Sequence, residues 1–226
     1  ILHRLVGSEM CIRDSLYSSF DKRNEPWIYT KSTVVDFDGT PILFTPWICD
    51  DNYDHSMEML RTAKADLCFG HLEIKGIEMQ NGVINEHGLS KSDFKRFDRV
   101  VSGHFHKHTD DGQIFYCGAQ YEMTWSDYQD PKAFHIFDTE TRELTRISNP
   151  LTIHKKIIYD DKKKDYTNFD IQPYNNHFIK LIVLNKTNEE VFDKFLERLY
   201  NEITVHDLNI VEDYSDIKAS VREDIL

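Results

Sequence analysis

The sequence predicts an α/β protein of the α+β layered type, with a small β-α-β unit at its C-terminal end. Three observations carry this. An apolar run ending in Gly-His occurs twice, at residues 65–71 and 99–104, each time after a segment of helical pattern. Between residues 113 and 147 strand-like runs follow one another with only turn signals between them. After residue 177 an apolar run, an amphipathic helical segment and a second apolar run follow in order.

Thr33-Val34-Val35-Asp36-Phe37 reads as a strand, Asp38-Gly39 as a tight turn, and residues 41–48 as the return strand. Pro46 belongs near the end of that strand or on an edge, because proline cannot donate to a ladder. Residues 54–63 predict a helix capped by Asp51 or Asp54, with Met57, Leu60 and Ala63 on one face. Residues 65–69 form a buried strand, 90–97 a short helix and 99–102 the next strand. Residues 113–117, 132–138 and 143–147 are expected to be antiparallel strands completing a second sheet, with a hairpin turn at Asp138-Thr139-Glu140-Thr141. Asp160-Asp161-Lys162-Lys163-Lys164-Asp165 carries a linker signal. Beyond it lie a strand at 177–184, then a helix capped by Asn188 that runs from Glu189 to about Ile203. Val191, Phe192, Phe195 and Leu199 share one face of it, and a strand follows at 208–211. The domains expected are 16–155 and a small C-terminal unit at 156–226.

Composition limits the function classes. The chain has 226 residues, 40% of them hydrophobic, with 14 Phe and 11 Tyr, so a sizeable core can be buried. A net charge of −12 argues against gripping nucleic acid by bulk positive charge. It leaves room for an enzyme whose metal ions supply the local positive field. No apolar run reaches the ~18 residues of a membrane-spanning helix. Cys11, Cys49, Cys68 and Cys117 form no Cys-x-x-Cys pair. The last three lie in strand-like runs and read as small buried hydrophobes in a reducing compartment. Residues 1–15, around Val6-Gly7-Ser8-Glu9-Met10-Cys11-Ile12-Arg13-Asp14-Ser15, resemble a translated linker rather than a folding unit.

The chemistry concentrates in the histidines. His104 and His106 follow Gly103 at the end of a strand, where an i, i+2 spacing throws both imidazoles to one side. His71 follows Gly70 in the same way. Glycine lets the chain turn sharply at a strand end, and neutral imidazole is the commonest side-chain metal ligand. Two such endings point to one shared metal site, against the plainer reading of solvated histidines at strand ends. His108 is expected to be solvated on a loop and His87 to be a turn residue. His135, alternating with Phe134 and Ile136, is expected on a partly solvated strand face. The tryptophans Trp27, Trp47 and Trp125 are expected in core or interface, and residues 121–127 on a loop beside the site.

These residues resemble the calcineurin-like metallophosphoesterases, and within them the SbcD-type DNA-repair nuclease subunit in its phage form. The resemblance rests on Cys68-Phe69-Gly70-His71-Leu72-Glu73-Ile74-Lys75-Gly76, His87-Gly88-Leu89, Val101-Ser102-Gly103-His104-Phe105-His106 and Phe134-His135-Ile136-Phe137-Asp138-Thr139-Glu140-Thr141. The lead-in Thr33-Val34-Val35-Asp36-Phe37-Asp38-Gly39 with Pro46-Trp47 adds to it. It covers roughly residues 25–150. The resemblance implies part of a metallophosphoesterase β-sandwich flanked by helices, followed by a β-α-β capping domain that positions DNA. It implies two divalent metal ions, Mn²⁺ foremost, with His71 and His104 on one ion and His106 on the other.

It further implies hydrolysis of DNA phosphodiesters, as exonuclease and endonuclease, in recombination and double-strand-break repair. The implied partners are DNA, an SMC-like ATPase subunit and, for the intact protein, a second copy; the implied location is the cytoplasm, that of the host cell for a phage protein. The family's Asp-x-His, Gly-Asp and Gly-Asn-His-Asp motifs have no counterpart in this sequence. The chain is therefore expected to be an N-terminally truncated form, inactive alone, with its catalytic acids unidentified. A small-substrate metallophosphoesterase and a non-catalytic partner-binding module are the alternative readings.

Overall fold

The computed structural model describes residues 4–5 and 27–212 except Asn81, and the readings placed on 1–3 and 6–26 lie outside the described residues. The chain divides into two compact units, Ile1–Asn149 and Pro150–Leu226.

The first unit is built on a six-stranded mixed sheet. Its strands are β1 (Thr33–Phe37), β2 (Thr40–Thr45), β3 (Leu67–Gly70), β4 (Arg99–Ser102), β5 (Thr109–Asp110) and β6 (Ile114–Tyr116), in the order β1-β2-β3-β4-β6-β5. The four central strands are parallel, and the edge strands β1 and β5 run antiparallel to their neighbours. All four parallel strands therefore end on the same edge of the sheet, where ligands bind in open α/β sheets.

Alternation along the strands sorts the side chains into two layers. Leu43, Cys68, Val100, Ile114 and Tyr116 face one way and pack with Leu60 of helix α1 (Tyr53–Thr62) and with Phe94 and Phe97. Phe94 closes a single 3₁₀ turn, Lys91–Phe94, where the sequence suggested a longer helix. The turn ends there because Lys95 donates its N–H back to the Ser92 carbonyl and Phe97 donates to Phe94, so no α-helical ladder is propagated. On the opposite face Ile42, Phe44 and Leu67 pack with Val35, Phe69 and Phe137.

Phe137 belongs to an antiparallel hairpin of β7 (Ala133–Phe137) and β8 (Leu144–Ser148). Its ring meets Phe69 edge-on at 5.0 Å. The α+β layered class expected from the sequence is the one observed.

Three sequence expectations are corrected in this unit. The run 113–117 does not join the hairpin; Ile114–Tyr116 pairs parallel with β4 inside the main sheet. All three of its residues are buried, as a strand covered on both faces requires. The alternation in β7 is also opposite to expectation. Ala133, His135 and Phe137 face the main sheet, while Phe134 and Ile136 are 48% and 55% exposed. The small Ala133 and the fit of Phe137 on Phe69 select this register, since a one-residue slip would exchange the two faces. Cys49 is exposed rather than buried, because β2 ends at Thr45; Cys68 is buried and Cys117 partly so.

The second unit is a three-stranded parallel sheet of β9 (His154–Asp160), β10 (His177–Asn185) and β11 (Val205–Val211), with helix α2 (Glu189–Asn201) between the last two. The β-α-β portion matches expectation. Strand β9 was hidden by its charged start, His154-Lys155-Lys156, and the polar stretch 160–165 is a turn inside this unit rather than a linker. Asp160 accepts backbone N–H groups from Lys163 and Lys164, which closes that turn. Asn188 accepts from the Val191 N–H at 3.2 Å and caps α2. Its core gathers Tyr159, Tyr166, Ile179, Leu181, Phe192, Phe195 and Leu199. Among the described residues, no helix is long and apolar enough to cross a membrane.

Candidate metal centre at the carboxyl ends of the parallel strands

The site grows from three neighbouring strand ends. Strand β2 runs into Trp47, β3 into Gly70-His71 and β4 into Gly103-His104. Gly70 is required by proximity: a Cβ there would lie 2.5 Å from the Thr45 carbonyl oxygen of the adjacent strand. The ends are also tied laterally. The Ser102 hydroxyl accepts the Leu72 N–H at 2.9 Å and donates to the Leu72 carbonyl at 3.0 Å. The Tyr116 hydroxyl donates to the same carbonyl at 2.8 Å and accepts the Ile74 N–H at 3.1 Å. Two of these contacts fix the segment that carries His71 against β4, the strand that carries His104, and two tie it to β6.

The result is a convergent imidazole pair. His104 Nδ1 lies 3.2 Å from His71 Nε2, and the Trp47 ring packs against both, 4.8 Å from His104 and 5.9 Å from His71. Burial holds both histidines below the ordinary imidazole range; repulsion from His104 adds to it at His71, and at His104 nearby Glu73 opposes it while His106 adds to it. Both rings are thereby kept neutral, the state in which imidazole offers a lone pair.

At 3.2 Å the two nitrogens are within hydrogen-bond distance of each other, so both would offer lone pairs to one ion only with each ring's proton on its other nitrogen. The fit is partial. Among the described residues no group of three His, Cys, Asp or Glu side chains converges on a metal position.

His106 is placed differently. Strand β4 stops at Ser102 and residues 104–107 form a bend, so the alternation expected to send both imidazoles to one side does not continue. His106 Nδ1 instead lies 3.3 Å from Asp127 Oδ2. Asp127 and Lys132 form an ion pair at 2.8 Å with side chains 3% and 2% exposed. Burial would raise the Asp127 carboxyl, but Lys132 and the N–H groups of Thr124 and Met123 outweigh it and bring it down to about 2. This group was not foreseen. Its one sequence signal is Thr124-x-x-Asp127, a helix-capping spacing that here starts the 3₁₀ turn Trp125–Asp127.

His108 is not solvated as expected. Its Nδ1 lies 2.8 Å from the Tyr116 carbonyl oxygen, and its ring packs on Phe115 and His135. The chain bends back after His106, and β5 pairs with β6, which carries His108 inward. His87 is exposed in a bend, as expected of a turn residue. Residues 121–127 do lie beside the site, joined to it through Asp127.

No protein-family model matches the chain. The chain is similar to a phage nuclease subunit. It is 35% identical over 199 residues to Exonuclease subunit 1 of Enterobacteria phage T4, which is 87% of this chain and 55% of the phage protein. The chain thus spans about half the length of the curated relative it matches.

Proposed function

We propose that this chain is part of a metal-dependent DNA nuclease subunit of the calcineurin-like metallophosphoesterase kind. One observation carries the reading: neutral His71 and His104 converge at the carboxyl ends of two adjacent parallel strands, 3.2 Å apart. The similarity to an exonuclease subunit gives this pair its chemical context. In this reading His71 and His104 hold one divalent ion, Mn²⁺ foremost, and His106 a second. When bound, such a pair of ions supplies a hydroxide at neutral pH and charge neutralisation at the phosphate under attack.

The chain's own residues then hold the imidazoles apart at a fixed bite, keep them deprotonated by burial, and wall the pair with Trp47. The substrate is DNA and the intact protein works with an SMC-like ATPase subunit and as a homodimer; the word "subunit" in the relative's name supports a partner. The place of action is the cytoplasm of the host cell.

A second reading applies to this polypeptide by itself. With no three-ligand group among the described residues, it is a metal-binding half-site and a partner-binding module rather than a complete enzyme. Hydrolysis separates the readings. Duplex DNA and a small chromogenic phosphodiester are incubated with the chain and Mn²⁺, with and without chelator. Chelator-sensitive cleavage of duplex DNA that is lost in His71→Ala supports the nuclease reading. Turnover of the small diester alone favours a small-substrate phosphoesterase. Mn²⁺ binding without turnover of either supports the half-site reading.

A further inference from the structure

We infer that Asp127 is a positioning residue for His106: it fixes the imidazole with its proton on Nδ1 and leaves the Nε2 lone pair free for a metal ion. The inference rests on the metal reading above and adds to it a residue that the histidine motif does not contain.

Asp127 Oδ2 receives the N–H groups of Met123 and Thr124, each at 2.9 Å, and the Thr124 hydroxyl at 3.3 Å. Oδ1 receives Lys132 Nζ at 2.8 Å. Two main-chain N–H donors on Oδ2 and the buried Lys132 ammonium on Oδ1 all stabilise negative charge, so the group is held as a carboxylate. His106 Nδ1, 3.3 Å from Oδ2, must then be the donor. In a neutral ring this places the lone pair on Nε2, opposite the tautomer that free histidine prefers. Imidazoles that bind metals commonly have this arrangement, with one nitrogen held by a carboxylate and the other on the ion.

The backbone of His106 is held by the same unit. Its carbonyl accepts Lys132 Nζ at 3.1 Å and the Ala119 N–H at 2.9 Å. Gly118 permits this approach: its φ is +74° and a Cβ would lie 2.9 Å from the His106 carbonyl oxygen. Lys132 also donates to Asp130 at 2.6 Å, so the ammonium is satisfied by three oxygens and is itself immobile. Ring and main chain of His106 are therefore referred to one buried ion pair, whereas His71 and His104 make no contact with it in the hydrogen bonds described.

Imidazole nitrogen NMR of the metal-free chain, taken above the imidazole titration range, tests the inference without any substitution. The expected result is a His106 ring protonated on Nδ1; a ring protonated on Nε2 overturns the inference. Mn²⁺ titration then follows line broadening of the three histidines in the wild type and in Asp127→Asn. In the variant, His106 is expected to turn toward the Nε2–H tautomer and to need about ten- to hundred-fold more Mn²⁺ for half broadening, with His71 and His104 unchanged. An unchanged His106 midpoint and tautomer in a folded variant overturns the positioning role. Absence of broadening at all three histidines in the wild type instead overturns the metal reading on which the role depends. The two failures are thus distinguishable, and the wild-type tautomer decides the matter even if Asp127→Asn does not fold.

Discussion

The Ser102 hydroxyl and the backbone of Leu72 satisfy each other twice, amide to oxygen at 2.9 Å and hydroxyl to carbonyl at 3.0 Å. Both groups are buried. A serine at the last position of β4 thereby replaces the ladder that β3 leaves unfinished after Gly70. Ser102→Ala is expected to leave the Leu72 N–H without a partner and to cost about 1–3 kcal/mol of stability. Urea denaturation of the two proteins measures it. A loss under ~0.5 kcal/mol would show that the hydroxyl is not what joins the strand ends.

The imidazole pair makes a prediction about metal that does not depend on turnover. His71→Ala and His104→Ala should each weaken Mn²⁺ binding at least about tenfold, since loss of even an outer partner of a ligand costs that much. His177→Ala, at the start of β10 in the second unit, serves as the control and should leave the affinity unchanged. Calorimetry on the purified chain gives the constants. Equal affinity in all three variants would move the metal away from these strand ends.

His135 predicts a pH dependence. Burial, then repulsion from His108 and Arg146, lowers its pKa from 6.5 to about 4, and its Nε2 has no hydrogen-bond partner among the described residues. The unfolded chain therefore binds a proton more readily than the folded one between these values. Stability contributed by the neutral ring is complete above pH 6.5 and is lost as the pH falls toward 4. The ring is partly solvated, so screening reduces the effect to the order of 1 kcal/mol. His135→Phe keeps the edge-on contact with Phe115 and should flatten the denaturation midpoint across that window. A variant with the wild-type slope would assign the dependence to other groups.

Much of this was legible in the sequence because local signals and tertiary packing agreed. Arg99–Ser102 occupies the expected residues, Gly70-His71 and Gly103-His104 do end adjacent parallel strands, and Asn188 does cap its helix. The readings that failed share a cause: a tertiary partner that the local pattern does not reveal decided them. The face of β7 was set by Phe69 and Phe115 on the main sheet, not by the Phe-His-Ile alternation itself. Strand β6 was claimed by β4 rather than by the hairpin that follows it in the sequence. His108 was drawn inward by the Tyr116 carbonyl. Asp127 and Lys132 carried ordinary loop signals, since a sequence does not show that a charged side chain is buried until its counter-ion is placed.

That buried pair gives the sharpest contrast in energy. Lys132→Ala would leave the Asp127 carboxylate inside the protein with its ammonium removed, and breaking a buried pair from one side costs about 3–5 kcal/mol. The exposed pair Lys194–Glu190 on α2 has a comparable separation, 2.6 Å against 2.8 Å. Water already solvates both of its partners, so Lys194→Ala should leave the denaturation midpoint within error. The double variant Asp127→Asn with Lys132→Met removes both charges together and should recover part of the loss, because no uncompensated charge remains buried. Denaturant titration of the four proteins tests the ordering. If Lys132→Ala and Lys194→Ala cost the same, the Asp127 carboxylate is solvated rather than enclosed, and the rigid support ascribed to His106 is lost with it.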